Sequence, residues 1–262
     1  ETEEFAWPIM KLLSDSDLFG VYIPESYGGL GGGIIEMCLV TEELSRACGG
    51  IALGFAGTGL GTFPILLYGS EEQKKKYLTD IAKGKRLAAF CITEAEAGSD
   101  AGSIKTTAKK DGDHYVLNGT KQWITNAGEA EVYTVIAMTD KTKGARGASA
   151  FIVEKGTKGM EFGLKEKKLG IRSSATREVI FTDCKIPKEN LISREGIGFI
   201  VAMKTFDNSR PGVAAQAVGI AQGSLDVALE YARKRIQFGQ PISSFQAIQH
   251  MLADMGTQIE AA

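Results

Sequence analysis

Thr106-Thr107-Ala108-Lys109-Lys110-Asp111-Gly112-Asp113-His114-Tyr115-Val116-Leu117-Asn118-Gly119 is the stretch that decides the fold. Asp-Gly and Asn-Gly tolerate the left-handed backbone of a tight hairpin turn, and each here follows a short run suited to a strand. The stretch therefore predicts two hairpins, one turning at Asp111-Gly112 and one at Asn118-Gly119. Further on, Val132-Tyr133-Thr134-Val135-Ile136-Ala137-Met138 carries no charge and reads as a buried strand. Ser149 to Val153 and Glu178 to Phe181 read as two more. Residues 89–191 are thus expected to form a β module, a small barrel or packed sheets.

Outward in both directions the period changes to helical. Ile9, Leu12 and Leu13 mark an apolar face of a helix that Gly20 should stop. Ile35 to Arg46 is amphipathic. Ser70-Glu71-Glu72-Gln73 has the form of an N-cap with Glu and Gln in the first turn, opening a short helix from Glu71 to Ile81 that Gly84 ends. On the C-terminal side, Val201 to Asn208 begins a helix, Pro211 marks a start or bend, and Val213 to Arg235 is one long helix. Gly239-Gln240-Pro241 breaks it. Phe245, Ile248, Leu252, Met255 and Ile259 then recur on one face of a last helix. Helices, strands, helices is the order of an α+β protein and not the alternation of a doubly wound sheet. The expected domains are 1–88 (helical), 89–191 (β) and 192–262 (first part of a helical bundle).

Composition excludes several classes. Lys+Arg 30 against Asp+Glu 32 gives a net charge of −2, so no basic surface argues for nucleic acid. With 44% hydrophobic residues the chain is not disordered. Cys38, Cys48, Cys91 and Cys184 form no CxxC pair, which argues against a zinc site or a disulfide scaffold and leaves buried free thiols as the expectation. Ala47 to Ser70 has no charge over 24 residues, but its seven glycines and Pro64 leave only Phe63 to Tyr68 as a strongly apolar run. That is far short of the ~20 residues of a span, so a buried helix is expected, and no membrane association. The acidic opening Glu1-Thr2-Glu3-Glu4 is no signal peptide, which argues against secretion. It lacks Met, and the chain closes within a helical pattern. A longer parent polypeptide is expected.

Neither G-x-G-x-x-G, G-x-x-x-x-G-K nor G-x-S-x-G occurs, so the nucleotide and hydrolase sites those motifs mark are unsupported. His114 and His250 lack local partners and read as surface residues. Four stretches carry chemistry. Phe90-Cys91-Ile92-Thr93-Glu94-Ala95-Glu96-Ala97-Gly98-Ser99-Asp100 runs from a strand into a loop of small and hydroxyl residues. Such a loop offers N–H groups and oxygens to a ligand, or is a plain N-cap turn. In Gln122-Trp123-Ile124-Thr125-Asn126 the alternation of a strand puts Trp123 and Thr125 on one side, where they suit a flat heterocycle or a packed core. Phe206-Asp207-Asn208-Ser209-Arg210-Pro211 is the third. The fourth, Arg233-Lys234-Arg235-Ile236-Gln237-Phe238-Gly239, suits phosphate or a charged helix end.

In this order the stretches resemble the acyl-CoA dehydrogenase family, nearest its short- and medium-chain straight-chain members. The resemblance also includes Val21-Tyr22-Ile23-Pro24-Glu25-Ser26-Tyr27-Gly28-Gly29, Gln73-Lys74-Lys75-Lys76-Tyr77-Leu78, Asn118-Gly119-Thr120-Lys121 before Gln122, and Ile186-Pro187-Lys188-Glu189-Asn190. It covers essentially all 262 residues. It implies a helical domain, a β-barrel-like middle domain and a four-helix bundle, with FAD between the last two. By that resemblance Phe90, Ile92 and Thr93 line the flavin, and Trp123, Ile124 and Thr125 cover it. Ser99, Asp207, Ser209 and Arg210 match positions that meet the acyl-CoA. Arg235, Gln237, Phe238 and Gln246 match positions that hold the FAD of a neighbouring subunit, where Arg suits a diphosphate.

The implied activity is α,β-dehydrogenation of an acyl-CoA thioester to the trans-2-enoyl-CoA. Electrons would pass to electron-transfer flavoprotein, from a homotetramer in bacterial cytoplasm or mitochondrial matrix. Two departures stand out. The family's usual catalytic Glu lies in a C-terminal part these residues do not contain, and the alternative position before Arg210 is Ser209, which cannot be a carboxylate base. Ala95 stands where Pro is usual, which loosens the loop and leaves Gly98-Ser99-Asp100 intact. An oxidase of the same fold and a non-catalytic flavin-holding relative remain as alternatives.

Overall fold

The computed structural model describes residues 3–262, so Glu1 and Thr2 of the acidic opening lie outside the described residues. Helix α1 spans Trp7–Asp15, with Pro8 in its first turn, where a missing N–H costs nothing. Met10 and Leu13 are its buried residues. Leu12 stands roughly 200° around from Met10 at ~100° per residue and is exposed, against expectation. The helix also stops before Gly20, because Asp17 turns into the left-handed region at φ 56° and a 3-10 turn over Leu18–Gly20 follows.

The amphipathic segment and the uncharged run after it are one element, α2, Ile34–Tyr68, bent at Cys48 (φ −163°, ψ 110°). By length and composition α2 could cross a membrane, yet 67% of its most apolar window is buried inside the fold, as the core-helix reading expects. Its hydroxyls satisfy themselves on the preceding turn. Thr41, Ser45, Thr58 and Thr62 donate to the carbonyls of Met37, Thr41, Gly54 and Thr58. Helix α3, Glu71–Ala82, opens with the expected capping box. Ser70 Oγ accepts from Gln73 N at 3.2 Å, and Gln73 Oε1 accepts from Ser70 N at 3.0 Å. Gly84 at φ 60° follows its end.

The middle segment is one curled, mixed sheet of seven strands. They are β1 (Ala88–Cys91), β2 (Thr107–Asp111), β3 (His114–Thr125), β4 (Val132–Met138), β5 (Ala148–Glu154), β6 (Met160–Phe162) and β7 (Thr176–Pro187). β1 and then β2 run parallel along one edge of β4, and β5 runs antiparallel along the other. All seven residues of β4 are buried, as a strand covered on both faces requires. One cover is α2, whose Gly61 carbonyl accepts from Thr134 Oγ1 at 2.9 Å.

The Asp111-Gly112 hairpin forms between β2 and β3. The Asn118-Gly119 hairpin does not. β3 continues through both residues, and its register against β7 shifts there, the mark of a bulge. Asn118 spends its amide across the ladder, donating to Asp183 Oδ1 and accepting from Asp183 N. Gly119 sits at φ 143°, and a Cβ on it would fall 2.5 Å from Thr106 Oγ1.

Helix α4, Gly198–Lys234, runs continuously through Pro211, so the proline does not start a helix there. The lost hydrogen bond and ring clash of an internal proline, ~3 kcal/mol, are outweighed by packing along α2. That packing is close. A Cβ on Gly219 would fall 2.1 Å from Glu42 O, and one on Gly223 would fall 2.2 Å from Arg46 O. The expected break after Lys234 is a two-residue hairpin, β8 (Ile236–Gln237) and β9 (Gln240–Pro241), turning on Phe238 and Gly239, both at positive φ. Helix α5, Gln246–Ala261, packs against α4 with no fully buried residue. Phe245, Ile248 and Leu252 are half-buried. Of the cysteines only Cys91 and Cys184 are buried. Cys38 and Cys48 are half-buried, which corrects that expectation.

Candidate functional site

Four elements meet at a cleft of about 140 Å³. α2 contributes Gly57 and Leu60, β1 and its exit Phe90, Ile92 and Thr93, β3 Trp123, Ile124 and Thr125, and α4 Phe206. Six residues assigned by resemblance to one cofactor therefore line one cavity. A larger cleft of about 780 Å³ lies at the α2 bend, lined by Arg46, Cys48, Arg172 and Ser173 among others. It holds none of the residues assigned to cofactor or substrate, so size does not mark the site here.

Strand alternation does not explain how β3 presents its three residues. The register against β7 shifts a second time, between Lys121 and Ile124, and Trp123 stands at φ 60°. A bulky residue in the left-handed region is a real outlier, of the kind that costs ~1–3 kcal/mol and clusters at functional sites. The bulge brings Trp123, Ile124 and Thr125 all to the cleft. Ile124 is buried, while Trp123 keeps 55% of its surface exposed, an aromatic face left uncovered by its own chain. Asn126, also at positive φ, pins the end of β3. Its Nδ2 donates to Gly54 O (3.0 Å), Thr58 Oγ1 (3.2 Å) and Ala88 O (3.3 Å), tying α2, β1 and β3 together.

Opposite, Phe90 packs edge-on against Phe206 with ring centroids 5.8 Å apart, closing the apolar end of the cleft. Beyond Thr93, the buried carboxylate of Glu94 accepts from Lys121 Nζ at 2.7 Å and from the N–H groups of Lys105 and Thr106 at 2.6 and 3.0 Å. Burial pushes Glu94 up, but the Lys121 charge and these hydrogen bonds outweigh it and hold the group below the usual carboxylate range. Burial lowers the Lys121 ammonium. The loop beyond Glu94 leaves Ser99 exposed.

On α4, one turn beyond Phe206, Arg210 donates to Asp207 Oδ1 at 3.1 Å and lies over the Phe206 ring at 5.9 Å. Both charged groups are exposed beside the cleft wall. Ser209 is buried and its hydroxyl points to the Phe206 carbonyl at 3.5 Å. Arg235, Gln237, Phe238 and Gln246 do not line the cleft. Arg235 caps the end of α4, Gln237 and Phe238 stand on the β8–β9 hairpin, and Gln246 opens α5, with Phe238 93% exposed.

Sequence reasoning missed Gly57, Leu60, Phe206 and the Lys121–Glu94 pair. For Phe206 the signal in the sequence is its place next to Asp207. Nothing in the sequence shows that Lys121 is fully buried.

The cavity fits an isoalloxazine ring chemically. It has apolar and aromatic walls (Phe90, Ile92, Trp123) and two hydroxyls, Thr93 and Thr125, for the polar edge.

Comparison with known proteins agrees. The family model of the acyl-CoA dehydrogenase N-terminal domain matches residues 1–85, that of the middle domain 89–184, and that of the C-terminal domain 196–262. A short-chain-specific acyl-CoA dehydrogenase of Clostridium acetobutylicum is 47% identical over all of this chain and 69% of its own length. Butyryl-CoA dehydrogenase of Megasphaera elsdenii superposes with a TM-score of 0.95 at 45% identity, covering 99% of this chain and 69% of that one. A chain of the structure described as electron transferring flavoprotein of Acidaminococcus fermentans superposes at 0.97 with 48% identity, covering 99% and 68%. An acyl-CoA dehydrogenase complexed with FAD from Bacillus anthracis superposes at 0.91 with 42% identity, covering 96% and 43%. The chain spans about two thirds of the length of the curated relative. It belongs to the acyl-CoA dehydrogenase family.

Proposed function

We propose that this chain is part of a FAD-dependent dehydrogenase that converts a short- or medium-chain acyl-CoA thioester to the trans-2-enoyl-CoA. The observation that carries this reading is the cleft itself, with Trp123 facing the Phe90–Thr93 segment and the Asp207–Arg210 pair one helical turn away. FAD, when bound, supplies the two-electron acceptor.

The chain's own residues supply binding and alignment. Trp123 covers one face of the ring, and Phe90 and Ile92 line it. Thr93 and Thr125 would hydrogen-bond its polar edge, and the apolar walls would exclude water. Arg210 and Asp207, with Ser99 and Ser209, hold the acyl-CoA. The α-proton of a thioester is weakly acidic, so its removal needs a positioned carboxylate and donors toward the thioester oxygen. None of the cleft-lining residues is Asp or Glu, which supports a base outside these 262 residues.

Arg235, Gln237, Phe238 and Gln246 are assigned to the FAD of a neighbouring subunit in a homotetramer. Their exposure, from the end of α4 to the start of α5, supports that assignment. Electron-transfer flavoprotein is the proposed acceptor, and the proposed compartment is bacterial cytoplasm or mitochondrial matrix.

Anaerobic addition of butyryl-CoA to the intact, flavin-loaded polypeptide tests the reading. Bleaching of the oxidised-flavin absorbance with formation of the enoyl-CoA is expected, and Arg210→Ala should raise the butyryl-CoA concentration needed by about tenfold at unchanged flavin content. A flavin that stays oxidised with short- and medium-chain substrates alike would overturn it.

A further inference from the structure

Behind the cleft wall lies a buried pair of opposite charges. Lys121 is 0% exposed and Glu94 is 8% exposed. Lys121 Nζ donates to Glu94 Oε1 at 2.7 Å and to the Ile92 carbonyl at 2.9 Å. The next residue, Gln122, donates its N–H to the Thr93 carbonyl at 2.9 Å. Three consecutive residues, Ile92, Thr93 and Glu94, are therefore each held by Lys121 or Gln122. Ile92 and Thr93 form one wall of the cleft. Trp123, immediately after Gln122, forms the other. The remaining bonds of the Glu94 carboxylate, to Lys105 and Thr106 N–H, close the loop 95–104 that carries Ser99, and the Glu94 backbone exchanges two hydrogen bonds with Ala97 within it.

Stability alone does not account for such a pair. Desolvating two charges is costly, and an apolar pair of the same volume is often as stable or more so. Directional bonds do what an apolar pair cannot, fixing the spacing and angle of two backbone segments. They act at the place where β3 leaves its register and Trp123 takes a backbone conformation that is poor for its residue type.

We propose that the Lys121–Glu94 pair is a positioning clamp that sets Thr93 against Trp123 and so determines how tightly the cleft grips the flavin ring. This rests on the reading of the cleft as the flavin seat. The pair does not touch the ring. It acts through the two segments it holds.

The test uses the intact polypeptide with Lys121→Met and Glu94→Gln combined. The combination removes both charges at similar volume, whereas Lys121→Met alone strands a buried carboxylate. Amide hydrogen exchange of the apoprotein is followed together with FAD titration. The amides of Lys105, Thr106 and Gln122 should exchange about tenfold faster and the FAD Kd rise about tenfold, while β4 amides exchange as in the unaltered protein. Glu94→Asp keeps both charges but withdraws the carboxylate by one methylene, and should give the same local pattern in weaker form. Unchanged exchange and FAD affinity would overturn the clamp. So would equal acceleration across β4, which would mark a purely structural role. In the unaltered protein FAD must slow exchange at Thr93 and at Trp123 to Thr125. Failure there would overturn the flavin reading of the cleft, and the clamp's role toward the ring with it.

Discussion

At the scale of single residues, the site rests on side chains in unusual surroundings. Trp123 stands at positive φ with its ring half uncovered, and Lys121 is buried without a trace of exposure. The types were legible in the sequence, since a Trp two residues before a Thr suggests a platform and a hydroxyl. Their placement was not, because a bulge depends on the strand across the ladder and the burial of one lysine depends on a carboxylate far away in the chain. Away from the cleft, Glu154 on β5 ties a helix to the sheet. It accepts from Lys76 Nζ at 2.6 Å, Tyr77 Oη at 3.0 Å and Arg86 Nη1 at 3.3 Å, joining α3 and the turn after it to the sheet. Burial pushes Glu154 up, but the bonds from Lys76 and Tyr77 outweigh it and leave the group below the usual carboxylate range. A depressed folded value means that its contribution is fully present above the unfolded value and fades as pH falls through the folded one. Urea unfolding measured from neutral pH downward should show Glu154→Gln less stable than the parent at neutral pH, with the difference shrinking below the ordinary carboxylate range. A gap that stays constant with pH would contradict this.

Among elements, α2 organises the molecule. It packs on α4, covers β1 and β4, and contributes Gly57 and Leu60 to the cleft. Its two halves were legible as an amphipathic helix and an uncharged run. Their union across Cys48 was not, since one non-helical residue leaves no pattern in the sequence. The Asn118-Gly119 bulge shows the same limit, for Asn-Gly serves a turn or a bulge according to what lies opposite. Pro211 inside α4 shows that tertiary packing can override a local break signal. At Gly61 α2 lies close on the sheet, and a Cβ there would fall 2.5 Å from Ala89 N and 2.8 Å from the Ala88 and Ala89 carbonyl carbons. Those are backbone atoms and cannot swing aside. Gly61→Ala should therefore lower stability by about 3 kcal/mol, at the upper end for overpacking, and loosen FAD binding as α2 lifts from β1. An unaltered urea midpoint would show that the interface is slack.

The whole molecule places a β sheet and a long helix on two sides of one narrow cleft. The order of helices, strands and helices read directly from periodicity, and α+β architecture followed. Recognition of the cleft needed more, because its lining comes from residues 57 to 206 and no local window contains it. The resemblance to acyl-CoA dehydrogenases supplied Phe90, Ile92, Thr93, Trp123, Ile124 and Thr125 as one set, and the fold brings those six to one cavity. It left Arg235 and the hairpin residues Gln237 and Phe238 apart, exposed on a separate projection. The claim that matters most is that Trp123 closes a flavin seat in this cavity. The equilibrium affinity of the intact polypeptide for FAD, measured for the parent and for Trp123→Ala, tests it most directly. Loss of an aromatic face that covers the ring should weaken binding by about tenfold or more, with the fold and its urea midpoint unchanged. Equal FAD affinity in the two proteins would mean that the ring lies elsewhere, and the account of the cleft would fall.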